Sequence, residues 1–323
     1  KHAGSKRVRY VARAAGLKAN TSYSYYIRSG KTQSTRGAFR TAGGKGDSFT
    51  FLQFGDTQIK NADVPEDIID RARRDHPEAR VMLHAGDVVN HPWVAKEWTE
   101  LHKALSGSIQ RQNWIVSMGN HEQCVLLKKC RSGSGRGFRS YFHGAANGFK
   151  DQRRTWYYVD HGPARIIVLD SFGKDLAKQR DFLAKALESN TRQWSIVLMH
   201  SGPFASRDDR KNTTMRKYFL PTLDRYDVDL VLSGHDHSYA RGQRSGTTYL
   251  TSVSGPKYYD SSSKDWQAGG AVREASAYRT STYQTVHVTP ESLTITATVG
   301  HRGKGALPEA RVGQVLDTVT LQR

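Results

Sequence analysis

From residue 48 onward, short apolar runs alternate with segments of helical period. β-rich runs occupy 49–54, 80–84, 113–118, 164–169, 194–199 and 228–233. Between them, Val94, Trp98, Leu101 and Leu105 fall on one helical face, as do Phe182, Leu183, Ala186 and Leu187. This alternation predicts an α/β fold, a sheet covered by helices. After residue 245 the pattern becomes strand-only, with runs at 247–253, 282–288, 291–298 and 314–321. Residues 1–42 read as β structure. Tyr23, Tyr25 and Ile27 alternate with Ser24, Tyr26 and Arg28, a turn follows at 29–31, and alternation resumes from Ala38 to Thr41. Three strands cannot close a sandwich, so this module either leans on its neighbour or lacks its first strands. Residues 41–47 are a linker by composition, and 131–137 and 261–264 read as mobile loops. The expected division is a β module over 1–42 and an α/β domain over 43–323.

Composition narrows the class. An aromatic content of 10% in 323 residues is too high for a disordered chain. No apolar run approaches the ~18 residues that a helical membrane span needs. The chain opens Lys-His-Ala-Gly-Ser with no apolar segment behind the charge, so a secretion signal is expected to have been removed or never to have existed. Charge adds a partner class. The net value is +19, and residues 1–46 hold 11 basic residues and no acidic one. Such a field draws in phosphorylated molecules and polyanionic surfaces, although it also serves plain solubility. Cys124 and Cys130 lie close together in a basic loop. That spacing suits a small disulfide ring in an oxidising compartment, with two free thiols as the alternative.

The chemistry sits at the ends of the strands. Run 49–54 ends in Gly55-Asp56-Thr57-Gln58, run 80–84 in Gly86-Asp87-Val88-Val89-Asn90, and run 113–118 in Gly119-Asn120-His121-Glu122. Run 194–199 ends in His200, and run 228–233 in Gly234-His235-Asp236-His237. Ligands of open α/β sheets bind at the carboxyl ends of strands, and here five of those ends carry a side chain able to hold a metal. Two carboxylates, an amide oxygen and three imidazoles suit divalent or trivalent first-row metals. Two such ions ~3.5–4 Å apart form a clamp for displacement at phosphorus. A lone Gly-Asp is usually a turn and a lone His usually a surface residue; the ordered set carries the reading.

That order (Gly-Asp, Gly-Asp-x-x, Gly-Asn-His-Glu, His, Gly-His-x-His) resembles the calcineurin-like metallophosphoesterases, and within them the purple acid phosphatase branch. Ser-Gly-His-Asp-His-Ser-Tyr-Ala-Arg at 233–241, Val197-Leu-Met-His200-Ser and the leading Gly16-Leu-Lys-Ala-Asn-Thr-Ser-Tyr-Ser-Tyr25 support the narrower likeness. The resemblance implies a four-layer α/β/β/α sandwich preceded by a partial fibronectin-III-like module. It implies two metal ions (Fe, Zn, Mn or Mg). Asp56 and His237 would bind the first, Asp87 would bridge, and Asn120, His200 and His235 would bind the second. His121 would stand at the leaving oxygen as proton donor or electrostatic stabiliser.

Two departures stand out. The purple enzymes have Tyr where this chain has Asn90, which predicts a colourless protein whose first site is completed by Asn90 or Gln58. The loop after His200 carries Arg207 and Arg210 where plant-type relatives place histidines, and guanidinium groups suit a phosphate clamp. The expected activity is hydrolysis of phosphate monoesters by a metal-bound hydroxide, in an extracellular or periplasmic enzyme. A phosphodiesterase on the same site is the alternative. The reading from another class is a non-catalytic protein that attaches to polyanions through residues 1–46.

Overall fold

The computed structural model describes residues 10–60, 63–124, 135–148 and 154–323. Strands β1 (Ser22–Tyr25), β2 (Arg28–Ser29), β3 (Thr32–Gln33) and β4 (Gly37–Arg40) form two small antiparallel pairs, β1 with β4 and β2 with β3. Tyr23 stacks on Phe39 across the first pair, at 5.8 Å between ring centroids. The alternation read through Ile27 ends earlier, at Tyr25, and Ile27 is 65% exposed. A pair of strands offers no second layer for that side chain to bury against.

The remaining elements run in chain order. They begin with β5 (Phe49–Phe54), α1 (Asp63–Asp75), β6 (Val81–His84), α2 (Ala95–Ala104), α3 (Ser106–Ile109), β7 (Asn113–Val116), α4 (Asn120–Gln123) and α5 (Arg136–Tyr141). Next come β8 (Tyr157–His161), β9 (Ala164–Val168), α6 (Leu176–Glu188), β10 (Trp194–Leu198), α7 (Thr213–Arg225) and β11 (Leu230–Ser233). The last are β12 (Tyr239–Arg244), β13 (Thr247–Thr251), α8 (Lys264–Ala268), β14 (Val272–Ala277), β15 (Thr280–Val288), β16 (Ser292–Arg302) and β17 (Val315–Gln322). Two expectations are corrected. The span 131–137 is not loop throughout, because Arg136 and Gly137 open α5, and 125–134 otherwise lies outside the described residues. Residues 261–264 are not free either: Ser261 bridges to Arg207 and Lys264 opens α8, so the region after 245 is not purely strand.

Two mixed sheets result. The six-stranded one has the order β17-β16-β15-β5-β6-β7, with β5, β6 and β7 parallel. The seven-stranded one has the order β14-β12-β13-β11-β10-β9-β8, with β9, β10, β11 and β13 parallel. Period-two alternation shows how they stack. Phe51, Val81 and Leu83 meet Ile166, Val168, Ile196 and Leu198 in one cluster between the sheets. Their neighbours Leu52 and Met82 point the other way, into a cluster with Ile68 of α1 and Trp98 of α2. Ile167, Val197 and Val231 likewise pack with Phe182 and Leu183 of α6 and Phe219 of α7. Apolar side chains on both strand faces thus demand the two outer helical layers, and each fully buried Leu, Ile or Phe stabilises by about 1.5–3 kcal/mol. At one edge an ionic clamp joins the sheets: Arg241 of β12 donates through Nε to Asp317 of β17 at 2.6 Å, and Tyr239 donates to the same carboxylate at 2.6 Å. No helix among the described residues is long and apolar enough to cross a membrane.

Candidate metal centre

The parallel strands of both sheets end at one place, and the loops that leave them carry the site. The six-stranded sheet contributes Asp56 after β5, Asp87 after β6 and Asn120 at the start of α4. The seven-stranded sheet contributes His200 after β10 and His235 and His237 after β11. The backbone bends sharply there: φ is positive at Asp56 (49°), Gln58 (40°), Asp87 (54°), His235 (73°) and His237 (50°). Such conformations cost roughly 1–3 kcal/mol each in non-glycine residues and concentrate where function requires them. The adjoining glycines are needed for room. A Cβ on Gly119 would lie 2.0 Å from Asp87 Oδ1, and one on Gly234 would lie 2.3 Å from Asp56 Oδ2.

Asp87, His200 and His235 present ligand atoms that all lie within 4.8 Å of one another. His200 Nε2 is 3.2 Å from Asp87 Oδ2, 3.2 Å from Asn120 Oδ1 and 3.2 Å from His235 Nδ1. Asp56 Oδ2 accepts the His235 backbone N–H at 2.6 Å, whereas its buried Oδ1 has no hydrogen-bond partner and lies 3.5 Å from His237 Nε2. Backbone carbonyls orient the rings. His200 Nδ1–H donates to Ala85 at 2.6 Å, His237 Nδ1–H to Lys257 at 3.1 Å, and His121 Nδ1–H to Asn90 at 2.6 Å. Each bond fixes the tautomer and turns Nε2 toward the pocket, the arrangement that metal-ligating imidazoles use.

Electrostatics ask for a cation. Burial, with Asp87 nearby, pushes the Asp56 carboxyl up to about 8. Burial would push the His200 imidazole down, but the Asp87 and Asp56 carboxylates outweigh it and raise it to about 10. Burial likewise opposes ionisation of Asp87, and the charge on His200 overcomes it, holding that carboxyl well below the usual range. A proton on His200 therefore supplies the positive charge beside the buried Asp87 carboxylate that a metal ion would supply, while burial leaves Asp56 holding its own proton. Burial and the charge of Lys257 push His237 down to about 3, so it stays a neutral donor. With an orphaned carboxylate oxygen and imidazole nitrogens clustered about Asp87, these residues fit a metal centre.

The other expected residues surround this cluster. His121 Nε2 sits 3.7 Å from Asp87 Oδ2. The Gln58 amide nitrogen lies between them, 3.2 Å from Asp87 Oδ2 and 3.0 Å from His121 Nε2. Asn90 meets His121 through its carbonyl, while its side chain turns to His91. Arg210 stands behind His235, donating to its carbonyl at 2.9 Å and to Asp236 Oδ1 at 2.6 Å. Arg207 pairs with Asp209 and lies over the Tyr259 ring at 3.9 Å. Cys130 lies outside the described residues, and the expected ring with Cys124 therefore does too.

Sequence reasoning missed three contributors. Glu122 holds the ligand loops, accepting the backbone N–H groups of Asp87 at 2.9 Å, Gly119 at 2.9 Å and Val89 at 3.2 Å. Its signal was its place as the third residue of a helix whose first residue is a ligand. Phe172, after β9, stands 5.0 Å from the His235 ring and 5.8 Å from that of His200. Tyr259, past the end of β13, stands edge-on to His237 at 5.0 Å. The signal for both was position alone, in the loop at the carboxyl end of a parallel strand that carries no ligand.

Comparison with known proteins agrees with this geometry. A purple acid phosphatase of Glycine max is 31% identical over 185 residues, covering 54% of this chain and 39% of that protein. A phosphoenolpyruvate phosphatase of Allium cepa is 29% identical over 171 residues, covering 50% of this chain and 35% of that protein. The chain thus spans less than half the length of these curated relatives. A purple acid phosphatase structure from yellow lupin (Lupinus luteus) seeds superposes with a TM-score of 0.73 at 18% identity, over 95% of this chain and 61% of that one, which shows a shared fold. Residues 49–239 match the calcineurin-like phosphoesterase family and contain every residue of the candidate centre from Asp56 to His237, so the chain belongs to that family.

Proposed function

We propose that this chain hydrolyses phosphate monoesters with a pair of metal ions. Asp56 and His237 would hold one ion, Asn120, His200 and His235 would hold the other, and Asp87 would lie within reach of both. When bound, the ions supply Lewis-acid polarisation of phosphoryl oxygens and an activated water. The rest is the work of this chain's side chains. The His121 ring is held by the Asn90 carbonyl with Nε2 directed inward, and as the imidazolium, released from the Gln58 amide, it would serve the departing alcohol as proton donor or electrostatic stabiliser. Gln58 keeps that ring beside Asp87 through its amide nitrogen. Phe172 packs beside the His235 and His200 rings and adds an apolar wall there. Arg210 braces the His235 loop through Asp236 instead of reaching into the pocket.

The observation that carries this reading is the buried, unpartnered Asp56 Oδ1 facing His237 Nε2 beside the Asp87, His200 and His235 cluster. The Asn90 side-chain amide is engaged by the His91 ring, and an amide supplies no phenolate, which supports a colourless protein. Location outside the cytoplasm belongs to the same reading and rests on the short Cys124–Cys130 spacing. The test is elemental analysis of purified protein together with turnover of an aryl phosphate and a bis-aryl phosphate across added metals. The expected result is two ions per chain and preference for the monoester. Metal-free protein with no turnover under any metal refutes the proposal, diester preference transfers it to phosphodiesters, and an intense visible absorption band contradicts the colourless centre.

A further inference from the structure

Beside the His237 ligand stands a cationic and aromatic rim that the proposed chemistry leaves unused. The Tyr259 ring carries the Arg207 guanidinium carbon 3.9 Å from its centroid and the Lys257 ammonium 5.0 Å from it. The two cations differ in kind. Arg207 is neutralised by Asp209, Nε to Oδ1 at 2.5 Å. Lys257 has no ion pair among the described residues, and its side chain is exposed. Its main chain is nevertheless fixed to the centre, because its carbonyl accepts His237 Nδ1–H at 3.1 Å. An ammonium resting on an aromatic face keeps its charge while losing part of its freedom. A buried carboxylate partner would cancel that charge; here it stays available to a ligand.

We propose that Lys257, seated on Tyr259, selects phosphate esters whose leaving group carries a second negative charge. The inference rests on the phosphoesterase reading and narrows its substrate class. A leaving group that extends from the centre past His237 comes within the reach of a long side chain whose main chain is bonded to that same histidine. Opposite unit charges about 5 Å apart at a partly solvated rim favour the charged substrate by roughly five- to tenfold. Arg207, already paired, adds shape and holds the ring.

The test uses the full, metal-loaded chain and two substrates, phenyl phosphate and 3-carboxyphenyl phosphate. The readout is the ratio of their kcat/KM values, in which intrinsic reactivity cancels between variants. In Lys257→Gln the preference for the carboxylated ester should fall about five- to tenfold, mainly through KM. Lys257→Arg should retain it and Lys257→Glu should drive it lower still. If the Gln variant does not fold, raising ionic strength on the unaltered chain should compress the same ratio, because the attraction is screened. A ratio that is constant across the variants and across salt overturns this inference and leaves the phosphoesterase reading standing. Absence of turnover of both esters by the unaltered chain overturns both.

Discussion

Glu122 is buried, holds main-chain N–H groups of the ligand loops, and is predicted to govern metal affinity. Its Oε2 accepts the N–H groups of Asp87 and Gly119, and its Oε1 accepts that of Val89. In Glu122→Gln the amide oxygen can keep the first two bonds, but as a neutral acceptor, which forfeits about 1 kcal/mol each. The new NH2 then faces the Val89 N–H, donor against donor, and leaves a buried group unsatisfied at about 1–3 kcal/mol. Part is recovered, since burial, with Asp87 nearby, already pushes the Glu122 carboxyl up to about 7 and the neutral amide escapes that desolvation. A net loss of about 2–3 kcal/mol lowers the unfolding midpoint of the metal-free protein by roughly 3–5 °C. Because two of the three N–H groups flank or belong to ligand residues, metal affinity should fall about 10–100-fold, as it does when outer partners of a metal site are removed. Thermal unfolding by circular dichroism measures the first effect, and chelator competition measures the second. A variant with unchanged midpoint and unchanged affinity would refute the view that this carboxylate sets the loop geometry.

Other contacts lead to three further outcomes. Arg210→Ala removes the partner of the buried Asp236 carboxylate, and should lower stability by about 2–3 kcal/mol and weaken metal binding; a rise in KM alone, at full stability, would make Arg210 a phosphate clamp instead. Gln58→Ala should reduce kcat about 10-fold or more with metal content unchanged, because it frees the His121 ring without removing a ligand; loss of one equivalent of metal would make Gln58 a ligand. His161, far from the centre at the end of β8, is pushed down to about 4 by burial and by the Arg192 charge. The unfolded chain therefore takes up this proton first as pH falls, so His161 contributes stability above about pH 6.5 that is lost between there and pH 4, about 3 kcal/mol in all. His161→Gln should flatten that part of the stability profile, and an identical slope measured by urea titration would count against it.

The convergence of the candidate residues was legible because each stands at a fixed offset past an apolar run, and the end of a parallel strand leaves little choice about where such a side chain goes. The roles of Gln58, Asn90 and Arg210 were not. A sequence shows that Arg210 is cationic, but not that Asp236, between two histidines, turns inward and needs a counter-charge. It shows an amide at Asn90, but not that the main-chain carbonyl does the contacting. In the fold, β14 escaped notice as an edge strand whose exposure alternates, and α8 because five residues are too few to display a helical period. The overreach at Ile27 has the opposite cause, since alternation persists in sequence after the pairing partner has run out.

The division of the ligands between the two sheets bears on how the molecule is made. Asp56, Asp87 and Asn120 ride on one sheet, and His200, His235 and His237 on the other, with the His200 to Ala85 hydrogen bond joining them. During synthesis the early half emerges with carboxylates and an amide but without its imidazoles. β5 must also wait for β15, more than two hundred residues later, before its outer edge is covered. A nascent chain would therefore complete the candidate site only after His237 and β15 have emerged, so cation binding there would report that the two sheets have closed on each other.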